Sequence, residues 1–400
     1  MSKLDELIKE LCPNGVEYKE LGEIVKSQRG KTITKELIKD GDIPVISGGQ
    51  KPAYYHNESN RKGEVITVAG SGAYAGFVMY WDKPIFVSDA FSIECDKSYL
   101  NIKYIYYFLQ NNQMKIYSLK KGGGVPHVYF KDMQKFLVPV PPLEVQDEIV
   151  RILDNFTALT AELTAELTAR KKQYSWYRDY LLKFENKVEI VKLGNVSELK
   201  SGGTPKTENL EYWENGIIPW MSSGEVNKGN IYETEKKITK EGYENSNTKM
   251  LPKNTVVIAL AGQGKTRGTV AITRIELCTN QSLCGIIPNE KLNSDYLYHY
   301  LKTQYENLRQ LSSGDGTRGG LNLKMIDNYL IPLPPLEVQK RIVEVLDNFE
   351  KICNDLNIGL PAEIEARQKQ YEFYRNFLLT FKIENCTLPK TRQDKTRQDK

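Results

Sequence analysis

Cysteine and histidine are scarce in this chain of 400 residues: six cysteines, none in a CxxC pair, and three histidines. A zinc site or a disulfide framework is therefore not expected, and the thiols should be reduced. Long hydrophobic runs are also missing. No stretch nears the ~18 apolar residues of a membrane span, and the opening MSKLDELIKE lacks the apolar run of a signal peptide. A soluble cytoplasmic protein with no membrane association is expected. Charge of neither sign is in excess, 55 Lys+Arg against 51 Asp+Glu for a net +4. So small a total neither requires nor excludes nucleic acid, because a basic face can sit within a near-neutral chain. With 40% hydrophobic residues the length supports two or three domains with real cores.

What the chain does have, it has twice. Residues 139–156 read PVPPLEVQDEIVRILDNF and residues 332–349 read PLPPLEVQKRIVEVLDNF, an offset of 332 − 139 = 193. A second echo follows each copy, QYSWYRDYLLKF at 173–184 and QYEFYRNFLLTF at 370–381, an offset of 370 − 173 = 197. Solenoid repeats recur at roughly 20–50 residues, so this is a duplicated half-molecule, the pseudo-symmetry of a dimer written into one polypeptide. A partner that itself presents two half-sites suits such a chain, and DNA is the leading candidate.

Between the echoes lie two blocks with the same order of elements. After a short amphipathic helix at 4–11, closed by the Pro13-Asn14-Gly15 turn, the first block alternates β-type runs with Gly-rich turns: 43–47, 64–70, 76–81 and 84–94. A helical segment follows at 101–119. The second block repeats this with β-type runs at 216–222, 254–262 and 268–275, then a helical segment at 294–311. Each closes with a Gly-rich loop, KKGGGVPHV at 120–128 and SSGDGTRGGLN at 312–322. Each block reads as an α+β domain. Many of the 24 tyrosines sit in such loops, as in KPAYYHN at 51–57 and GSGAYAG at 70–76. Aromatic and amide side chains there can stack on bases or bond base edges, although tyrosines packing at sheet edges account for most of the total.

The Pro-Pro motifs open long helices. Pro141-Pro142 and Pro334-Pro335 stand where a missing N–H costs little, and Glu144 and Glu337 in the first turn suit the dipole. Ile149, Leu153, Phe156, Leu159, Leu163 and Leu167 form a stripe on a rod on the order of 60 Å long. A stripe that long needs a long partner, and the helix after Pro335 is the obvious one. A kink or break is expected in that second rod at Gly359-Leu360-Pro361. Within the first, 159–167 reads LTAELTAEL, which is either two ordinary helical turns or a ruler between the flanking domains.

Taken together, the Pro-Pro-Leu-Glu-Val-Gln starts, the ILDNF and VLDNF continuations, the TAEL repeats and the QYxxYRxxLLxF ends resemble the specificity subunit of type I restriction-modification enzymes, along the whole chain. The repeats point to the IC-like subclass. The resemblance implies an α+β protein of two similar α/β target recognition domains separated by two long antiparallel coiled-coil-like helices. Its boundaries here are a recognition domain at 1–138, a helical spacer at 139–186, a second recognition domain at 187–331, a helical region at 332–385 and a disordered tail at 386–400. It also implies double-stranded DNA with a bipartite target, two modification (methyltransferase) subunits, and restriction subunits reached through the complex. One departure is the tail, with its perfect TRQDK duplication at 391–400.

Apparent catalytic signals are weak. ALAGQGKT at 259–266 fits a relaxed P-loop, but a P-loop needs a helix next, and RGTVAITRI is strand-like. A DNA-facing hairpin loop is the better reading, with Lys265, Thr266 and Arg267 meeting phosphate or a base edge. Adenine methylation resembles chemistry carried by an Asn/Asp-Pro-Pro-Tyr/Phe motif, whereas these Pro-Pro pairs follow Val140 or Leu333 and precede leucine. No glycine turn leads into a helix to hold S-adenosylmethionine, no carboxylate–lysine cluster suggests a nuclease, and His127 beside a glycine loop reads as a bonding or stacking residue. A non-enzymatic DNA reader without a cofactor is expected. Loop position and side-chain type nominate Gln50, Lys51, Tyr54, Ser71, Tyr74, Lys120, Lys121 and His127 in block one. In block two they nominate Thr204, Lys206, Ser222, Ser223, Gln263, Lys265, Thr266, Arg267, Arg318 and Asn322. The competing class is a structural or regulatory coiled-coil protein whose globular domains bind protein, which would show no salt-sensitive DNA affinity.

Overall fold

The structure is a computed structural model and describes residues 3–184, 188–262, 266–312 and 320–381. The chain divides into two compact units, Met1–Thr164 with Glu363–Lys400, and Ala165–Ala362.

Unit one opens with the helix Lys3–Leu11 and carries nine strands: β1 (Glu17–Glu20), β2 (Val25–Arg29), β3 (Ile43–Ile46), β4 (Tyr54–His56), β5 (Val65–Ala69), β6 (Val78–Trp81), β7 (Phe86–Val87), β8 (Ala90–Cys95) and β9 (Leu137–Val140). They form sheets ordered β2-β8-β5-β6, β4-β3-β7 and β1-β9. The apolar run VITVA makes β5, buried at every residue because both of its faces are covered: Ile66 and Val68 lie in the main core, and Val65 in the smaller core with Ile46 and Val87 of β3 and β7. The 84–94 run is two strands, not one. β7 pairs in parallel with β3, β8 joins the larger sheet, and Ser88-Asp89 turns the chain between them.

Unit two continues with β10 (Glu189–Lys192), β11 (Ser197–Ser201), β12 (Ile218–Met221), β13 (Asn230–Ile231), β14 (Lys236–Ile238), β15 (Val256–Ala259), β16 (Val270–Thr273), β17 (Cys278–Thr279), β18 (Leu283–Pro288) and β19 (Leu330–Leu333). The orders are β11-β18-β15-β16-β13, β14-β12-β17 and β10-β19. This is the plan of unit one with one added edge strand, β13.

The helical segments at 101–119 and 294–311 each form two helices, Ile102–Asn111 with Gln113–Ser118, and Ser294–Thr303 with Tyr305–Leu311. At the first break the Asn112 side chain donates to the Phe108 carbonyl at 2.9 Å, a local alternative to the backbone ladder.

The duplication extends to single hydrogen bonds. Buried Gln146 donates to the carbonyls of Pro141 and Tyr99 at 2.8 and 3.0 Å and accepts from the Asn101 amide at 2.9 Å. Buried Gln339 donates to Pro334 and Lys291 at 2.8 and 3.0 Å and accepts from Asn293 at 2.7 Å. The Tyr104 hydroxyl reaches the Pro139 carbonyl at 2.8 Å, and Tyr296 reaches Pro332 at 2.9 Å. Asp154 binds the Tyr107 hydroxyl at 2.6 Å, and Asp347 binds His299 Nε2 at 2.7 Å. The Gln of PPLEVQ and the Asp of LDNF therefore clamp each Pro-Pro helix to its own block.

The spacer is one unbroken helix, Leu143–Leu181. Its first half contributes Val145, Ile149, Val150 and Leu153 to the main core of unit one, where the helix Leu360–Thr380 adds Tyr371, Leu378 and Leu379 and stacks Tyr374 on Phe156 at 5.3 Å. Its second half pairs within unit two with the helix Leu336–Asn354: Tyr174 donates to Glu350 at 2.8 Å, and Tyr177 stacks on Phe349 at 5.4 Å. As one sequence rises the other falls, so that pair is antiparallel. The second rod breaks as expected. The chain leaves the helix after Asn354, the Asp355 side chain accepts from the amides of Asn357 and Ile358 at 2.7 and 3.2 Å, and a new helix begins at Leu360. Among the described residues no helix is long and apolar enough to cross a membrane.

Candidate nucleic-acid interface

In unit one three glycine-bearing loops meet at the backbone. The Gly72 amide donates to the Pro126 carbonyl at 3.0 Å and the Val128 amide to the Gly70 carbonyl at 3.1 Å, while Ser71 and Lys121 both bridge to His127. Gly48 lies so close to the Ser71 carbonyl that no Cβ would fit. Gln50, Lys51 and Tyr54 follow directly and are exposed. Tyr74 is also exposed, and Lys120 lies 4.5 Å over the Tyr117 ring with its ammonium 2.8 Å from the Ala73 carbonyl. Lys121 pairs with Asp132 at 2.5 Å, and His127 stacks on Tyr129 at 6.0 Å between centroids. All eight residues nominated in this block thus belong to the three converging loops or their strand ends. The surface they make is polar, aromatic and cationic.

Unit two converges in the same way. The amides of Gly202, Gly203 and Asn280 donate to the carbonyls of Leu283, Thr279 and Met221, and Leu321 donates to Leu260 at 2.8 Å. The segment after β11, the end of β12, the β17–β18 turn, the end of β15 and the segment before β19 are thereby gathered. Thr204 and Lys206 are exposed in the first of these, and Thr204 donates to Gln281 Oε1 at 2.5 Å. Ser222 and Ser223 follow β12. Ser222 closes a capping box with Glu225 and Asn322 caps the helix Leu323–Asp327 by accepting from the Met325 amide at 2.9 Å, so both also have structural tasks. Thr266 and Arg267 are half-buried in a tight turn completed by Gly268 at φ +81°, after which the chain enters β16. A strand stands where a P-loop would place its helix, which argues against nucleotide binding. Gln263, Lys265 and Arg318 lie outside the described residues, as does the 386–400 tail.

The sequence reading missed the turns between β7 and β8 and between β17 and β18, which carry Asp89, Asn280 and Gln281, together with the close approach of Gly30 and Gly202 to them. Neither glycine has room for a Cβ, against Ser88 and Asn280 respectively. A signal was available: RGKT at 29–32 and GGT at 202–204 put glycine and threonine at matching places in the two blocks. Among the described residues five cysteines are free, and burial pushes the thiols of Cys278 and Cys284 up to about 11 and about 12, unsuited to nucleophilic chemistry.

A family model described as the type I restriction modification DNA specificity domain matches residues 13–170 and 185–366, one match for each half of the duplication. The chain belongs to that family. The specificity subunit of the Escherichia coli EcoR124I/EcoR124II type I restriction enzyme is 35% identical over 403 residues, covering 95% of this chain and 98% of that one. A putative type I specificity subunit from Haemophilus influenzae is 29% identical over 381 residues, covering 92% and 96%. The crystal structure of a type I restriction-modification S subunit from M. genitalium has a TM-score of 0.60 at 18% identity, covering 94% and 98% of the two chains. That of the HsdS subunit from Thermoanaerobacter tengcongensis has 0.52 at 17%, covering 92% and 97%. At such identities the structural likeness shows the fold alone. As a specificity subunit the chain is the non-catalytic member of a restriction-modification system.

Proposed function

We propose that this specificity subunit reads a bipartite double-stranded DNA target, one half-site per unit, through the two loop clusters. The observation that carries this is their equivalence: the same loops, gathered by matching backbone bonds, recur in both halves of a duplicated chain. The recognition domains span 1–138 and 187–331, and the helical regions 139–186 and 332–385 set the gap and dock two modification subunits, through which restriction subunits join. The exposed, stacked Trp176–Tyr180 pair and, in its echo, exposed Phe373 stacked on half-buried Phe377 suit such docking, since exposed aromatics mark interaction surfaces. Within each loop cluster the lysines meet phosphate while amides, hydroxyls and tyrosines meet base edges. The chain works in the cytoplasm, uses no cofactor of its own, and belongs with the IC-like subclass on its TAEL repeats. Methylome sequencing of a host carrying it with its modification subunit tests this. Two specific half-sites at a fixed gap are expected. A continuous motif, or DNA affinity insensitive to salt, would return the chain to the protein-binding alternative.

A further inference from the structure

The two units carry a polar side chain in the same turn, where the chain leaves the strand parallel to β3 or β12 and enters the central strand β8 or β18. The Gly70 and Leu260 amides, which donate to the Asp89 and Ser282 carbonyls, align Asp89 with Ser282, so Gln281 is the residue by which the second turn is longer. In unit one the polar side chain is Asp89, in the two-residue turn between β7 and β8. In unit two it is Gln281, in the three-residue turn between β17 and β18. Each is held by a hydroxyl of its cluster, though from a different loop: Ser71, after β5, donates to the Asp89 carboxylate, and Thr204, after β11, donates to Gln281 Oε1 at 2.5 Å. Asp89 is out of place in a cationic surface, and the two lysines of the 120–128 loop are engaged elsewhere. Lys120 reaches the Ala73 carbonyl and Lys121 pairs with Asp132. A carboxylate facing DNA is repelled by phosphate, and the favourable contact open to it is an exocyclic amino group, that of cytosine N4 in particular. A carboxamide with its oxygen already engaged has its NH2 left to donate to an acceptor such as guanine O6 or thymine O4.

We propose that Asp89 and Gln281 are base-reading residues on corresponding turns, one in each half-site, and that Ser71 and Thr204 position them. The difference between carboxylate and carboxamide, and the extra residue in the second turn, then make the two turns read different bases. This rests on the loop clusters facing DNA, and the test separates the two ideas. The full chain, co-expressed with its modification subunit, is prepared as wild type, Asp89→Asn, Ser71→Ala, Gln281→Glu and a Lys51→Ala/Lys120→Ala double variant. Methylomes are sequenced, and binding is measured on a randomised duplex library and on non-specific DNA across salt. Asp89→Asn is expected to change preference at one base of one half-site by ~10-fold or more, and Gln281→Glu at one base of the other. Ser71→Ala, which frees the carboxylate without changing its charge, should relax the base that Asp89→Asn changes. The lysine variant should lower non-specific affinity and the salt slope with the motif intact. If the lysine variant behaves so while the Asp89, Ser71 and Gln281 variants keep the wild-type motif, these residues do not read bases and the proposal is overturned, though the clusters still face DNA. If the lysine variant also binds as wild type, the DNA-facing assignment fails, and this proposal with it.

Discussion

Gln146 and Gln339 are fully buried, and each satisfies two carbonyls and one amide on the segment leading into its block's helix. A carboxamide alone among side chains of that size offers both donors and an acceptor there. Gln339→Ala would leave three polar groups without partners, at roughly 1–3 kcal/mol each before relaxation. A loss of about 3 kcal/mol or more is expected in urea unfolding of unit two. Gln339→Glu should do no better, because a carboxylate cannot donate to two carbonyls. A loss under about 1 kcal/mol would mean water replaces the side chain. Glu350 offers a pH test. Burial alone would raise its carboxyl, but the Lys302 ammonium at 2.6 Å and the Tyr174 hydroxyl at 2.8 Å outweigh burial and hold it below its ordinary 4.5. A lowered folded-state value stabilises above the unfolded value, and that stability is lost as pH falls through the folded one. Unit two should therefore weaken below about pH 4.5, and Glu350→Gln should weaken it at neutral pH and flatten that acid slope. Parallel pH profiles for wild type and variant would show that the pair contributes nothing.

At the scale of elements, the sequence was most legible where one residue set served one purpose. The run VITVA became a central strand, and the Pro-Pro starts became the first turns of long helices. It was least legible where tertiary contacts decide: nothing local in 84–94 says that Val87 and Ala90 belong to different sheets. The loop nominees were drawn from glycine-rich turns, and those that the structure describes are gathered there. Asp89 and Gln281 escaped because their turns hold no glycine and their neighbours are distant in sequence. The spacer's register was legible, whereas its division between two units was not. Ile149 and Leu153 are fully buried, but Leu159, Leu163 and Leu167 are only half-buried and belong to no core cluster. The TAEL turns are thus the stretch of helix least committed to either unit. Inserting one tetrapeptide after Leu167 keeps the leucine spacing and adds about 6 Å of helix. At ~3.4 Å per base pair, the half-sites should move apart by one to two base pairs with their bases unchanged. Methylome sequencing of the insertion strain reads this, and an unchanged gap with activity retained would reduce the repeats to ordinary helical turns. A single inserted alanine rotates the stripe by about 100° and should instead disrupt pairing.

For the whole molecule, duplication matters because each unit keeps its own cores, its own loop cluster and its own glutamine clamp. Reading should therefore be separable. Replacing residues 16–138 with the block of another specificity subunit should change one half-site and leave the other as it was. The fold adds a condition to this exchange. The first block grips the chain leading into and along its long helix through the Asn101 side chain, which donates to Asp147 at 2.7 Å, through Tyr104 on Pro139, and through Tyr107 on Asp154. An incoming block that supplies equivalent groups at these places should dock and give a new, well-defined half-site. One that lacks them should fail to dock, whatever its loops can read, and restoring the three residues should restore methylation. The second unit already shows how much variation the clamp allows, since His299 does for Asp347 what Tyr107 does for Asp154. Donor capacity is therefore what the incoming block must match, more than residue identity. Methylomes of matched and mismatched chimeras decide the issue. If a well-docked chimera changes both half-sites together, the two units do not read independently.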